Sequence, residues 1–529
     1  MESQKRASCT HRKYIAAIVL VTAIMLHAGR VYSCTTVVAG KKATKNGAVL
    51  FGHNEDDSGR VVVNMWKVPR KYYEAGAVVR LRGGAVIPQN EVTWALTWFQ
   101  VPGLAFSDYY ANEWGVHVAS DACPSREDNP DITDGGIGFM LRRIVAERAK
   151  TAREGVRIAG DLLDRLGYTG SGRTLVICDP TEAWLVAIAA GKHWVAQRVP
   201  DEEVVILPNV YIIRQVDFSD TTRFMFSKDN VRDYAAERGW YDPAADGDFD
   251  FAYAYMNRRA QGAKFAQRGY DTRQWRGQQL ITGTAVSTKT ALVNGLPFSV
   301  RPNRQIGVED FKAILRDHYE GTVYGPASQV RPVLADPRER QQALPRHVMN
   351  NPNYTDERTI CTPTTQFSTI AELRSDRPPM LGNLLWFCMG RPDCGVYLPL
   401  YLDSIYFPSE CQNMPGVTTP EKALELHFDE PAGTYRYNAQ QYFWICNDLE
   451  NHTDMFYSSA IDTVRNTWDA FENKMLSMQE SIEKTMLNLI ETDIEKAALY
   501  LDEYTRSLVT ETRTRAGSLT RKIKSDYYR

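Results

Sequence analysis

The 529-residue sequence predicts an α+β protein in which helices pack on stacked β-sheets, with a helical extension at the C-terminus. Three observations carry this. First, β-branched and aromatic runs recur from residue 35 to about 401, separated by turn signals. Second, only a few intervening stretches, notably 137–149 and 152–166, have apolar residues at helical spacing. Third, Gly and Pro nearly vanish from about Asp454 onward. There Ile461, Val464, Trp468, Phe471, Met475, Met478 and Ile482 follow a 3-4 spacing, continued by Met486, Ile490 and Ile494. Residues 451–529 therefore read as a long amphipathic helix or helical hairpin docked on a main domain at 34–450.

Residues 1–33 read as a removable signal peptide. Lys5, Arg6, Arg12 and Lys13 form a positive start, and Tyr14–Leu26 is an apolar run broken only by Thr22. Val31 and Ser33 are small enough for the two cleavage-site positions. The run is short of the ~20 residues that a spanning helix needs. An exported protein, periplasmic or extracellular, is expected, with no membrane association after leader removal. Loss of the leader's five basic residues and one acid takes the formal charge from −2 to −6. That balance disfavours nucleic-acid partners, which call for a basic face.

Cleavage after Ser33 would make Cys34 the first residue, carrying a thiol and a free α-amine together. Their reference pKa values are about 8.5 and about 7.7–8.0. The amine can take the thiol's proton directly or through one water, which is an activated nucleophile with its base built in. An alternative is a lipid-anchored binding protein. Val31-Tyr32-Ser33-Cys34 half resembles a lipobox, although Tyr32 is bulky there, and lipidation would block both groups of Cys34.

Thr35–Ala39 reads as a strand, Asn46-Gly47 as a tight turn and Ala48–Gly52 as the return strand. Antiparallel pairing sets the polar cluster His53-Asn54-Glu55-Asp56-Asp57 beside Cys34, where a carboxylate can stabilise the charged amine. Val61–Trp66 and Trp94–Phe99 read as strands. Asn112-Glu113 stands at a turn, as plain turn chemistry or as an amide donor toward a reacting carbonyl oxygen. Two helices then precede strands at Thr174–Cys178, Ala183–Ala189, Trp194–Arg198, Val204–Leu207 and Tyr211–Ile213. Phe311–Tyr319 reads as a helix and 325–356, rich in Pro, Arg and Asn, as a long surface connection. Strand character resumes at Ile360–Thr369, Leu384–Cys388 and Gly395–Tyr401.

Eight cysteines remain after cleavage, and some of Cys361, Cys388, Cys394 and Cys411 are candidates to pair in an oxidising compartment. There is no P-loop, no Gly-x-Ser-x-Gly and no His-Glu-x-x-His. Gly135-Gly136-Ile137-Gly138 lacks dinucleotide-binding spacing. Nothing calls for a metal or an organic cofactor.

Together these motifs resemble a known family. Cys34-Thr35-Thr36 after a leader, Lys42-Ala43-Thr44, the Asn46-Gly47 turn and Gly52-His53-Asn54-Glu55-Asp56 look like the opening of the cysteine N-terminal-nucleophile (Ntn) dipeptidases. These are the dipeptidase A group, related to the secernins and more distantly to penicillin V acylases, bile salt hydrolases and acid ceramidase. Asn112-Glu113-Trp114-Gly115-Val116, Ala152-Arg153-Glu154-Gly155, Glu182-Ala183-Trp184-Leu185, His193-Trp194-Val195-Ala196, Arg198-Val199-Pro200-Asp201-Glu202 and Asp317-His318-Tyr319-Glu320-Gly321-Thr322 follow in order.

The resemblance implies a four-layer αββα Ntn-hydrolase sandwich and hydrolysis of dipeptides through a thioester. An N-acyl amide substrate, as in the acylase relatives, is the alternative. It implies Cys34 as nucleophile and Asp56 as the acid that hydrogen-bonds it, with Asn112 and Asn209 holding the oxyanion or substrate. Where the family has Arg in Gly-Arg-Asn-x-Asp this chain has His53. If His53 takes over the cationic role, activity should fall as it deprotonates; if not, thiolate stabilisation comes from elsewhere. Arg214 is the candidate for a later arginine near the site. Homo-oligomerisation is left open.

Overall fold

The computed structural model describes residues 34–57, 61–260, 265, 269–284, 287, 291, 295–325, 351–353, 357–404 and 406–528. The leader and most of the 325–356 connection lie outside the described residues.

Two antiparallel sheets form the centre. The first has seven strands in the order Ser299–Val300, Val204–Leu207, Thr35–Ala39 (β1), Val49–Asp56 (β2), Thr365–Leu373, Asn383–Met389 and Leu398–Tyr401. The second has eight, ordered Phe224–Phe226, Trp194–Arg198, Ala183–Gly191, Tyr168–Cys178, His117–Ala122, Tyr109–Asn112, Leu96–Gln100 and Asn64–Val68.

Side-chain alternation along the strands decides what each face covers. Val38 and Phe51 pack with Phe99, Tyr109, Val176 and Leu185 of the second sheet in one core between the sheets. Their neighbours Val37 and Leu50 point the other way, onto Phe311 and Leu315 of the helix Val308–Leu315 and Met486 and Leu501 of the C-terminal helices. On the far side, Tyr110, Val118, Leu175 and Trp184 pack on the helices Met140–Arg148 and Ala152–Leu166. The result is helix, sheet, sheet, helix: the αββα sandwich expected.

Local chemistry sets the ends of these elements. Thr151 caps Ala152–Leu166 by accepting from the Glu154 amide at 3.1 Å, and Gly167, at φ 77°, ends it. Tyr211–Ile213 is buried coil rather than strand, because the chain leaves the sheet after Leu207 at the Pro208-Asn209 corner.

Three helices complete the chain: Tyr442–Met455, Tyr457–Thr492 and Ile494–Tyr527. The apolar stripe is broken at Asp493, whose side chain caps the last helix by accepting from the Lys496 amide at 3.1 Å, so the extension is a hairpin. Val464, Trp468, Phe471, Met475, Ile482 and Met486 are buried, but Met478 and Ile494 are exposed. The indole of Trp468 donates to the Cys394 carbonyl at 2.9 Å. Arg391, wholly buried, pairs with Asp393 and Asp454, each at 2.6 Å. All eight described cysteines are free, so the expected pairing among Cys361, Cys388, Cys394 and Cys411 is not formed. Among the described residues no helix is long and apolar enough to cross a membrane.

Candidate active site

Cys34 stands immediately before β1, and the β1–β2 register fixes its surroundings. Thr35 faces Asn54 and Thr36 faces His53, so continuing the ladder by one residue sets Cys34 opposite Glu55. Alternation then turns Cys34, Thr36, His53 and Glu55 inward, on the side of Val38 and Phe51. Asp121 joins them from the second sheet, on the side of Ala119.

The Cys34 thiol donates to Glu55 Oε1 at 3.2 Å and lies 3.8 Å from the Asp56 carbonyl oxygen. Glu55 Oε2 is 3.0 Å from His53 Nε2, and His53 Nδ1 is 2.7 Å from Thr36 Oγ1. Thr36 in turn donates to Asp121 Oδ2 at 2.7 Å. Arg273, from the helix Thr272–Thr282, donates to the Cys34 carbonyl at 2.9 Å and to Asn209 Oδ1 at 2.7 Å, and pairs with Asp271 at 2.9 Å. Asp56 turns its carboxylate away from the thiol, accepting from Thr365 Oγ1 at 2.5 Å and Arg358 at 2.9 Å.

These groups are almost solvent-free: Cys34 is 4% exposed, Glu55 1% and His53 0%. Burial pushes the Cys34 thiol well above its ordinary value, and the negative neighbours Glu55, Asp121 and Asp56 push the same way. Burial likewise raises Glu55 to about 8, Asp121 to about 7 and Asp56 to about 6. It lowers His53, which Asp121 and Asp56 only partly offset. The thiol is therefore not a ready-made thiolate, and attack needs a base.

The structure brings together Cys34, His53, Asp56 and Asn209. Two expectations, for Asn112 and Arg214, need correcting, and the open role of His53 narrows. Asn112 points to the opposite side of its sheet, alongside Tyr110, and gives its amide hydrogens to the carbonyls of Ala146 and Ala149 at 2.8 and 2.7 Å. It staples a turn to the helical layer and is not presented to Cys34. Of the two roles left open for His53, burial depresses its protonation and so disfavours the cationic one. Arg214 pairs with Asp250, and among the described residues the arginines that hydrogen-bond Cys34 and Asp56 are Arg273 and Arg358. For Asp56, the atom nearest the thiol is the main-chain carbonyl oxygen.

Sequence reasoning did not single out Glu55, Asp121, Arg273 or Arg358. Glu55 was accessible from the register alone. Asp121 shares an inward parity with Ala119, which strand alternation exposes once the strand is drawn.

An αββα sandwich with a cysteine at the head of an inner strand is the arrangement that the sequence resemblance implies. Comparison with known proteins goes further. The model of peptidase family C69 matches residues 127–469. The chain belongs to that family and is a peptidase. It is 26% identical over 401 residues to the "Probable dipeptidase" of Salmonella dublin, covering 74% of this chain and 84% of the relative. It is 24% identical over 521 residues to the "Dipeptidase" of Bifidobacterium longum, covering 88% and 86%. Among solved structures, a mutant of the conjugated bile acid hydrolase from Clostridium perfringens is similar over 67% of this chain and 89% of its own, at 11% identity and a TM-score of 0.26. The fold assignment rests on this chain's own sheets and layers.

Proposed function

We propose that this chain is an exported cysteine dipeptidase that becomes active when residues 1–33 are removed and Cys34 becomes the N-terminus. The observation that carries the reading is the placement of Cys34 at the head of β1, its thiol 3.2 Å from Glu55 and its carbonyl held by Arg273. The names of the relatives support the substrate class.

The mechanism runs in two steps. The freed α-amine takes the thiol proton, and the sulfur attacks the scissile carbonyl. The amine then passes that proton to the leaving nitrogen as the C–N bond breaks, leaving a thioester on Cys34. Water, deprotonated by the same amine, hydrolyses the thioester and restores the thiol. The raised thiol pKa supports the need for this built-in base. With Asn112 on the far side of its sheet, Asn209, held by Arg273, is the proposed side-chain amide on the side of Cys34.

A panel of dipeptides, penicillin V and bile-salt conjugates tests the substrate class with wild type and Cys34→Ala. Dipeptide cleavage is expected from wild type and none above background from Cys34→Ala, whose melting curve stays close to wild type. Cleavage of the N-acyl amides without dipeptide cleavage, or wild-type turnover by Cys34→Ala, would overturn the proposal.

A further inference from the structure

The carboxyl nearest the nucleophile faces a problem of its own. Glu55 is buried, yet among the described residues no arginine or lysine hydrogen-bonds it; its oxygens meet the Cys34 thiol and the His53 imidazole. Other charged groups around it include Arg142 from the helix Met140–Arg148, Arg173 from the strand Tyr168–Cys178, Asp57 beyond β2 and Asp121 from the second sheet, which act on it through space. A carboxylate kept in such a place normally has a cationic partner.

The proposed substrate brings one. In a dipeptide the α-ammonium nitrogen is about 2.5 Å from the scissile carbonyl carbon. An attacking sulfur waits about 3–3.5 Å from the same carbon. A substrate turned with its amino group toward Glu55 brings the ammonium within one hydrogen bond of a carboxyl oxygen that lies 3.2 Å from that sulfur. An N-acyl substrate has no charge to offer there.

We infer that Glu55 is the anchor for the α-ammonium of the substrate, and that the chain His53–Thr36–Asp121 takes up the proton Glu55 must give away to become an anion. This rests on the dipeptidase reading above and deepens it.

The hydrogen bonds have one consistent order. Thr36 donates to Asp121, which leaves His53 Nδ1–H to donate to Thr36 and His53 Nε2 to accept from a protonated Glu55. When the ammonium arrives, the Glu55 proton passes to His53 Nε2. The Nδ1 proton passes to Thr36 Oγ1, and the Thr36 proton to Asp121 Oδ2. Glu55 ends as a carboxylate, Asp121 as a carboxylic acid, and His53 stays neutral in its other tautomer. No proton is gained or lost. Asp121 has capacity for this, since its Oδ1 is buried without a hydrogen-bond partner among the described residues. An imidazole can accept at one nitrogen and release from the other, whereas an arginine at position 53 would keep its proton. The histidine that departs from the resembling family thereby has a function.

The test compares Ala-Ala with propionyl-Ala, which lacks only the amine, using the leaderless protein. Wild type is expected to prefer Ala-Ala in kcat/KM by about 30-fold or more, the scale of one hydrogen bond to a charged group. Glu55→Gln, which keeps the shape, is expected to erase most of that preference, chiefly through KM for Ala-Ala. Asp121→Asn, which cannot take the proton, is expected to erase part of it. Loss of both substrates by the same factor in Glu55→Gln would overturn the anchor and leave Glu55 as a positioning residue for the thiol. Full preference retained in Asp121→Asn would overturn the relay. A wild type that cleaves neither substrate would sink the dipeptidase reading itself, whereas cleavage of Ala-Ala with the preference intact in Glu55→Gln sinks this inference alone.

Discussion

At the scale of single residues, the site is defined by carboxyls that burial has made reluctant to ionise. Glu55 is raised from 4.5 to about 8. A raised folded-state pKa means the native protein holds the proton more tightly than the unfolded chain. The associated stability is complete below the unfolded value and is lost as pH rises through about 8. Glu55→Gln behaves like a permanently protonated Glu55. Its unfolding free energy relative to wild type, from chemical denaturation, is therefore expected to climb between pH 5 and pH 9, a widening on the order of 2–4 kcal/mol at about 1.4 kcal/mol per pKa unit. A difference that stays flat or shrinks across that range would mean Glu55 is ionised in the resting protein. The same bookkeeping explains why His53 is a poor substitute for arginine as a cation: its protonation is disfavoured where it sits.

At the scale of elements, the β1–β2 hairpin and the C-terminal helices show how far local pattern reaches. The hairpin was legible because its signals are adjacent: Asn46-Gly47 sets the turn, the turn sets the register, and the register sets Glu55 across from Cys34. Asn112 was misread because a turn motif says nothing about which face its side chain takes. The alternation of Tyr109, Tyr110 and Ala111 decides it. The arginines were not legible at all. Arg273 reaches Cys34 across 239 residues of chain and Arg358 reaches Asp56 across 302, so only the folded sheet order brings them in. The long helical stripe was visible from spacing, but its break at Asp493 is a cap rather than an apolar signal. Docking of that hairpin is expected to hinge on Trp468, which is buried against the core and bonded to Cys394. Trp468→Ala is expected to cost about 3–5 kcal/mol in chemical denaturation. A loss below about 1 kcal/mol would mean the hairpin contributes little to the stability of the sandwich.

At the scale of the whole molecule, three cores account for the layers. One lies between the sheets and one on each outer face, and the active site lies at the end of the central one. That position keeps the thiol dry, which strengthens every charge around it and raises the thiol pKa. The matched family region begins at residue 127, whereas the proposed nucleophile and its hairpin precede it. The central claim concerns Cys34, so it is tested most directly by the mass of the active protein. Intact-mass and fragment spectra are recorded for the purified, active protein alone and milliseconds after mixing with a dipeptide. The account predicts a chain that begins at an unmodified Cys34 and gains one aminoacyl group on that residue. An active chain with a different or blocked first residue, or with the acyl group elsewhere, would contradict it.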